Sequence, residues 1–199
     1  YGFSASIRRD ASSRFRDDNQ WGTFWSVSGR WNISNEAFME GSVFNNLKLR
    51  ASYGETGNQF ITGTLFGGLD NTEDFFTSTG GYVNANSLAL SQIGVSDLRW
   101  ETIAQTNIGI DFGLWNDRLR GTFDWYQKET SDLYQSGPVS ATAGVTSLNI
   151  NTGTLYNRGV DYSVFYDVFT PKTENGFLMT VGFLGNYNET ELQDLPNAE

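Results

Sequence analysis

The stretch Asn107 to Lys128, NIGIDFGLWNDRLRGTFDWYQK, limits the fold more than any other part of the chain. Ile108, Ile110, Phe112 and Leu114 alternate with Asn107, Gly109, Asp111 and Gly113. Past Asn116-Asp117, Leu119, Phe123 and Trp125 alternate with Arg120, Thr122, Asp124, Tyr126 and Lys128. Successive side chains of a strand point to opposite faces, so this is a hairpin with one apolar and one polar side. A turn centred on Asn116-Asp117 sets Leu114 opposite Leu119, Phe112 opposite Gly121, Ile110 opposite Phe123 and Ile108 opposite Trp125. It also sets Asp111 opposite Thr122, Gly109 opposite Asp124 and Asn107 opposite Tyr126, which gathers the apolar residues onto one face. A four-residue loop from Trp115 to Arg118 gives the same pairs.

The same alternation marks further strands at Tyr1 to Asp10, Gly22 to Ser34, Leu47 to Tyr53, Tyr156 to Val168 and Phe177 to Thr190. Trp100 opens the strand that runs into the hairpin, for seven strands in all. Asn35 to Asn46 reads as a connector with a helical turn around Glu36 to Phe38. Gly54 to Arg99 and Thr130 to Thr154 lose the pattern and read as loops, longer than a compact soluble domain usually carries. The connections after the third and fifth strands are therefore long, and those after the fourth and sixth are short. In an up-and-down meander, odd and even connections emerge at opposite ends. Long loops on one side and short turns on the other is the plan of an outer-membrane barrel, whereas a soluble sandwich has no reason to keep it.

Composition agrees. Hydrophobic residues are 38% and aromatics 15% of 199 residues, which suits a barrel whose lumen is polar. No run of 18 apolar residues codes a transmembrane helix. A net charge of −10 argues against a nucleic-acid partner. With no Cys and no His, disulfides, thiolate metal sites and the usual catalytic base are missing, and no enzyme is expected.

The expected fold is therefore all-β, a sector of a transmembrane antiparallel up-and-down β-barrel. Seven strands do not close such a barrel, and an open apolar sheet leaves unpaired edges in lipid. Ile108, Ile110, Phe112, Phe123, Val160, Val164 and Val181 are expected to face lipid. Asp111, Asp124, Tyr126 and Lys128 are expected to be polar lumen residues. Arg8, Lys48, Arg50, Arg120 and Lys128 should pair with carboxylates such as Asp111, Asp124 and Asp161. Trp31, Trp100 and Trp115, near strand ends, fit interfacial belts.

Four segments carry a family resemblance. They are Arg8-Arg9-Asp10 through Phe15 with Trp21-Gly22-Thr23-Phe24, then Leu47 to Asn58 (LKLRASYGETGN), Leu98 to Asp111 (LRWETIAQTNIGID) and Tyr156 to Asp161 (YNRGVD). In this order they resemble SusC/RagA-type TonB-dependent outer-membrane transporters. Ala11 stands where that family usually has Gly, and Trp25 where Pro is common. The resemblance implies a barrel of about 22 strands with a plug inside. It implies import of oligosaccharides or peptides powered through TonB, a SusD-like lid lipoprotein, and the outer membrane of a Gram-negative bacterium. Residues 1–199 are then part of one barrel domain, without the plug, the first strands or the closing strand; TonB would act through the missing N-terminal region. A non-transporting barrel used as a surface scaffold or adhesin platform is the alternative.

Within the loops, Asp17-Asp18, Asp70 to Asp74 and Glu189 to Asp194 read as solvated charge. Asp70, Glu73 and Asp74 offer oxygen ligands for a loop calcium but lack the Asp-x-Asp-x-Asp-Gly spacing, so no metal or other cofactor is expected. Gly54 to Asn58 lacks the Lys and the helix of a phosphate loop and reads as a strand end kinked by glycine. Phe75, Phe76 and Tyr82 are the candidate ligand or lid contacts: they stack on sugar rings, pack on a lid protein, or pack within their own loop.

Overall fold

The computed structural model describes residues 1–60, 72–81, 86–140, 142, 144–145, 147–170 and 176–193. All seven expected strands are present. They are β1 (Gly2–Ala11), β2 (Trp21–Asn32), β3 (Phe44–Asn58), β6 (Glu101–Leu114), β7 (Leu119–Ser131), β10 (Thr154–Phe169) and β11 (Met179–Gln193). They form one sheet in the order β1-β2-β3-β6-β7-β10-β11. Every pairing is antiparallel, and β1 and β11 are its edges. Two further hairpins lie in the loops, β4 (Phe75–Gly80) with β5 (Asn86–Gln92), and β8 (Tyr134–Pro138) with β9 (Ser147–Asn151). Connections 12–20, 59–100 and 132–153 leave one end of the sheet; 33–43, 115–118 and 170–178 leave the other.

The β6–β7 register is the one the alternation dictates, from Leu114 opposite Leu119 to Asn107 opposite Tyr126. The turn is the four-residue form. Trp115, Asn116 and Asp117 have φ of 54°, 59° and 59°, the left-handed region that a twist-matched hairpin turn needs. Asn and Asp visit it readily, whereas a bulky residue does so only when its surroundings hold it. The β2–β3 connection supplies the hold: the Trp115 amide donates to the Val43 carbonyl at 3.1 Å. Asn45 brackets the next residue, its Oδ1 accepting from the Asn116 amide and its Nδ2 donating to Asn116 Oδ1.

Following the registers across the sheet sorts the side chains onto two faces. One row runs Phe3, Gly29, Ala51, Ile108, Trp125, Val160, Tyr187, and the row through Ile110, Phe123 and Tyr162 lies beside it. Phe112, Val164 and Val181 belong to the same face. This face has no layer over it: Ile7 is 78% exposed and Phe183 67%. The opposite face carries Ser4, Ser28, Ser52, Asn107 and Tyr126 in one row and Arg30, Arg50, Gly109, Asp124 and Asp161 in the next.

Several boundaries differ from the sequence reading. The third strand is longer at both ends, because Gly54 to Asn58 continue its ladder against β6 and carry no glycine kink. The ladder is a backbone property and survives the loss of side-chain alternation. The seventh strand begins at Met179 rather than Phe177, its first pair, Met179 opposite Phe169, set off by a bulge in β10 between Asp167 and Phe169. The helical turn expected around Glu36 is a pair of single 3₁₀ turns, Ile33–Asn35 and Ala37–Met39.

Candidate functional site

The polar face holds an ion cluster spanning three strands. Arg50 on β3 donates Nε and Nη2 to the Asp111 carboxylate on β6 at 3.1 and 2.7 Å. Its Nη2 also reaches Asp124 on β7 at 2.8 Å. Lys48 adds a second cation on Asp111 at 3.4 Å. Register explains the reach. Gly109 lies between Arg50 and Asp124 in the same cross-strand row, and a Cβ there would collide with the Asp124 carboxylate and the Arg50 guanidinium. The missing side chain lets one planar fork bridge carboxylates on two neighbouring strands, a geometry that Lys does not offer.

Other expected pairs are reassigned. Arg120 meets Asp167 at 2.8 Å and Arg8 meets Asp10 at 2.6 Å, because these carboxylates lie within side-chain reach on the same or the next strand. Among the described residues Lys128 and Asp161 form no ion pair. Asp161 stands directly opposite Asp124, a like-charge pairing that leaves Asp161 turned to solvent.

The second candidate region is the end from which the long loops leave. Pairing between β2 and β3 stops at Ser26 opposite Gly54, although both strands continue. Phe24 and Trp100 fill the opening, with ring centroids 5.6 Å apart, and Phe15 from residues 12–20 packs on Trp100 at 5.5 Å. Leu98 completes the group, with Val95 and Tyr134 against it. A Cβ on Gly57 would collide with the tip of the Phe24 ring, and so would one on Gly22, so these two glycines let the ring in. Trp100 is thus not a belt residue. It is 8% exposed, and its Nε1 donates to the Gln20 carbonyl at 3.2 Å, satisfying the one polar group of the indole.

Polar ties join the same three loops. Arg14 donates to the Gln59 carbonyl at 3.0 Å and Asn19 to Asp97 at 3.4 Å. Arg99 donates to Asp132 at 2.9 Å, a hydrogen bond that raises the guanidinium pKa above its ordinary value and keeps it charged. Asn151 brackets Arg99, accepting from its amide and donating to its carbonyl, both at 2.9 Å. In the acidic stretch, Asp74 accepts from the Gly94 amide at 2.8 Å and Glu73 lies 4.0 Å from Arg16. Asp70 lies outside the described residues.

Phe75 and Phe76 begin β4 and remain exposed, at 42% and 61%, on a hairpin in the chain's path from β3 to β6. Tyr82 lies outside the described residues. Sequence reasoning missed the buried group Phe15, Phe24, Leu98 and Trp100. The aromatic spacing in RF, GTF and RW was its only signal, and the members come from three separate segments.

Comparison with known proteins places this architecture. Residues 1–198 match the family described as TonB dependent receptor-like, beta-barrel. A TonB-dependent receptor of Formosa agariphila is 38% identical over 200 residues, covering 100% of this chain and 18% of that protein. The TonB-dependent receptor SusC of Bacteroides thetaiotaomicron is 33% identical over 213 residues, covering 100% of this chain and 20% of that protein. The solved RagAB peptide importer in its open-open state superposes with a TM-score of 0.81 at 32% identity, covering 97% of this chain and 20% of the matched one. The chain thus spans about a fifth of the length of these relatives. None of these relatives is named as an enzyme; their names are those of receptors and of an importer. A seven-stranded meander with two chemically opposite faces, matched over nearly its whole length, belongs to the β-barrel of the TonB-dependent receptor family, with SusC among its relatives.

Proposed function

We propose that this chain is part of the barrel wall and mouth of an outer-membrane importer of a Gram-negative bacterium. Its apolar face contacts lipid, and its polar face, with Lys48, Arg50, Asp111, Asp124, Tyr126 and Lys128, lines the lumen. The loops of the 59–100 and 132–153 connections are extracellular. Import is driven through TonB by a region outside this chain, where the plug and the remaining strands also lie. A SusD-like lipoprotein covers the mouth, and the cargo is an oligosaccharide or a peptide. The observation that carries this reading is the match over residues 1–198 to the receptor barrel family, joined to the likeness to a solved peptide importer. Charge arrangement supports it: Lys48, Arg50, Asp111 and Asp124 pair in mid-sheet on the face opposite the apolar rows, and the ion pair on the apolar side, Arg158 with Glu189 at 3.2 Å, lies toward the long-loop end of β10. Phe75 and Phe76 are the proposed lid or ligand contacts, because exposed aromatics at a mouth are favoured anchors, and Tyr82, outside the described residues, is retained with them on its place in the sequence.

The test uses the full-length receptor in its own cells. Uptake of a labelled oligosaccharide or peptide pool should fall to background when TonB is deleted. Deleting Leu69 to Gly81 should reduce uptake or co-purification of the lid lipoprotein while surface abundance stays normal. Uptake that is absent in wild-type cells, with the receptor abundant at the surface, would favour the scaffold or adhesin reading.

A further inference from the structure

The hairpins β4–β5 and β8–β9 are each only two strands wide. They come from different loops yet lie side by side: a Cβ added to Gly144 would contact the Leu90 side chain at 3.7 Å. Between them runs a groove of 390 Å³, walled by Leu90 to Ile93 on one side and Ser147 to Asn149 on the other. Consecutive residues line both walls. A wall made from a strand's face would expose every second residue, so the groove follows strand edges. Neither β5 nor β9 pairs with a further strand among the described residues.

The direction of the β9 amides follows from its ladder. The Thr152 amide donates to the Leu133 carbonyl at 2.8 Å, and the register continues with Tyr134 opposite Asn151. Bonded and non-bonded pairs alternate in an antiparallel ladder, so Leu148 and Ile150 aim their amides at β8, while Ser147 and Asn149 aim theirs away from it. Pro138, which has no amide hydrogen, stands opposite Ser147, at a pair that needs none.

We propose that this groove binds an extended peptide by adding it as a strand to the free edge of β9, with β5 as the opposing wall. Recognition of this kind uses main-chain hydrogen bonds and tolerates varied side chains. Leu90 to Ile93 gives a wall of about 13 Å at roughly 3.3 Å per residue, enough for a few peptide residues. An oligosaccharide has no amide ladder and does not fit this chemistry. The proposal rests on the importer reading for its setting and narrows the cargo to peptides.

The experiment titrates full-length receptor, in detergent, with an end-blocked heptapeptide of Thr, Val and Ser. Two derivatives are N-methylated at alternate residues in the two possible phases, and maltoheptaose is the glycan probe. The parent peptide should bind, at least one N-methylated form should bind tenfold more weakly or worse, and maltoheptaose should not compete. Asn149→Pro, at an edge position where proline is tolerated, should weaken the parent peptide comparably. Absence of parent binding, binding of both N-methylated forms as tight as the parent's, or competition by maltoheptaose overturns the proposal. So does an Asn149→Pro receptor that sheds its lid lipoprotein but keeps peptide affinity, since the groove then holds a strand of the lid. Peptide binding as described, in a receptor whose uptake ignores TonB, leaves the groove standing and removes the importer reading. TonB-driven uptake with binding indifferent to N-methylation does the reverse.

Discussion

The sheet and the long-loop end solve opposite packing problems. In the seven-stranded sheet the large apolar side chains of one face point outward, and Ile108, Ile110, Phe123 and Val181 are all exposed. At the loop end they point inward: Phe15, Phe24, Leu98 and Trp100 are the buried hydrophobic residues among those described. The sheet therefore draws its cohesion from ladders and from the Arg50 fork, and its greasy surface awaits a different solvent. The loop end is held as a small soluble protein is, by water leaving a cluster of rings. A residue type thus says little here until its position along the strand is known. An aromatic in mid-sheet and an aromatic one turn beyond it serve different media.

Four substitutions in the full-length receptor bear on this contrast. Trp100→Ala should have the largest effect, about 3–5 kcal/mol of local stability, as for other large-to-small core changes. Limited proteolysis should then cut near residues 12–20 and 93–99 while the heat-modifiable barrel band on a gel persists; loss of that band would show that the two regions are not separable. Ile110→Arg comes next, at about 2–4 kcal/mol if the apolar face meets mid-bilayer lipid, read by urea titration of receptor refolded in vesicles. No change there would place the face elsewhere. Gly57→Ala should cost about 1–3 kcal/mol by overpacking against Phe24, and the cost should shrink in the Phe24→Leu background. Equal costs in both backgrounds would dissociate Gly57 from the ring. Asp124→Asn should be mildest, up to about 1 kcal/mol, because Arg50 keeps both its Nε and Nη2 donors on Asp111 and the pair is partly solvated. A larger loss on the same vesicle titration would mean that the fork is more deeply shielded than its exposure suggests.

How far the sequence could be read follows the same division. Leu114 opposite Leu119 was legible because a strand with two unlike faces writes a period of two into its own residues, and a slip by one would exchange the faces. The hairpins β4–β5 and β8–β9 were not legible, since FFTSTG is exposed throughout and in YQSGP Tyr134 alone packs on the core, so neither stretch carries a period. Trp100 misled for another reason. Its local sequence fits a membrane-belt Trp equally well, and only Phe15 and Phe24, far away in the chain, decide its burial. Gly57 looked like a break in the strand; it is a fit to a ring that no neighbour in sequence reveals. The Arg50 pairing was legible as a pool of cations and carboxylates on one face, but not the division of one guanidinium between Asp111 and Asp124, which needs Gly109 to be recognised as the gap between them.

The clamp of Val43 and Asn45 on the 115–118 turn has a bearing on how such receptors diversify. It ties β3 to the β6–β7 hairpin at the end of the sheet away from residues 59–100, so alignment of these strands does not depend on how the intervening loop is built. Lengthening a flexible loop is cheap in chain entropy, about 0.6 kcal/mol per doubling. Descendants of one ancestral wall are then free to exchange whole mouths, trading long insertions at one rim while the opposite rim keeps the strands in step.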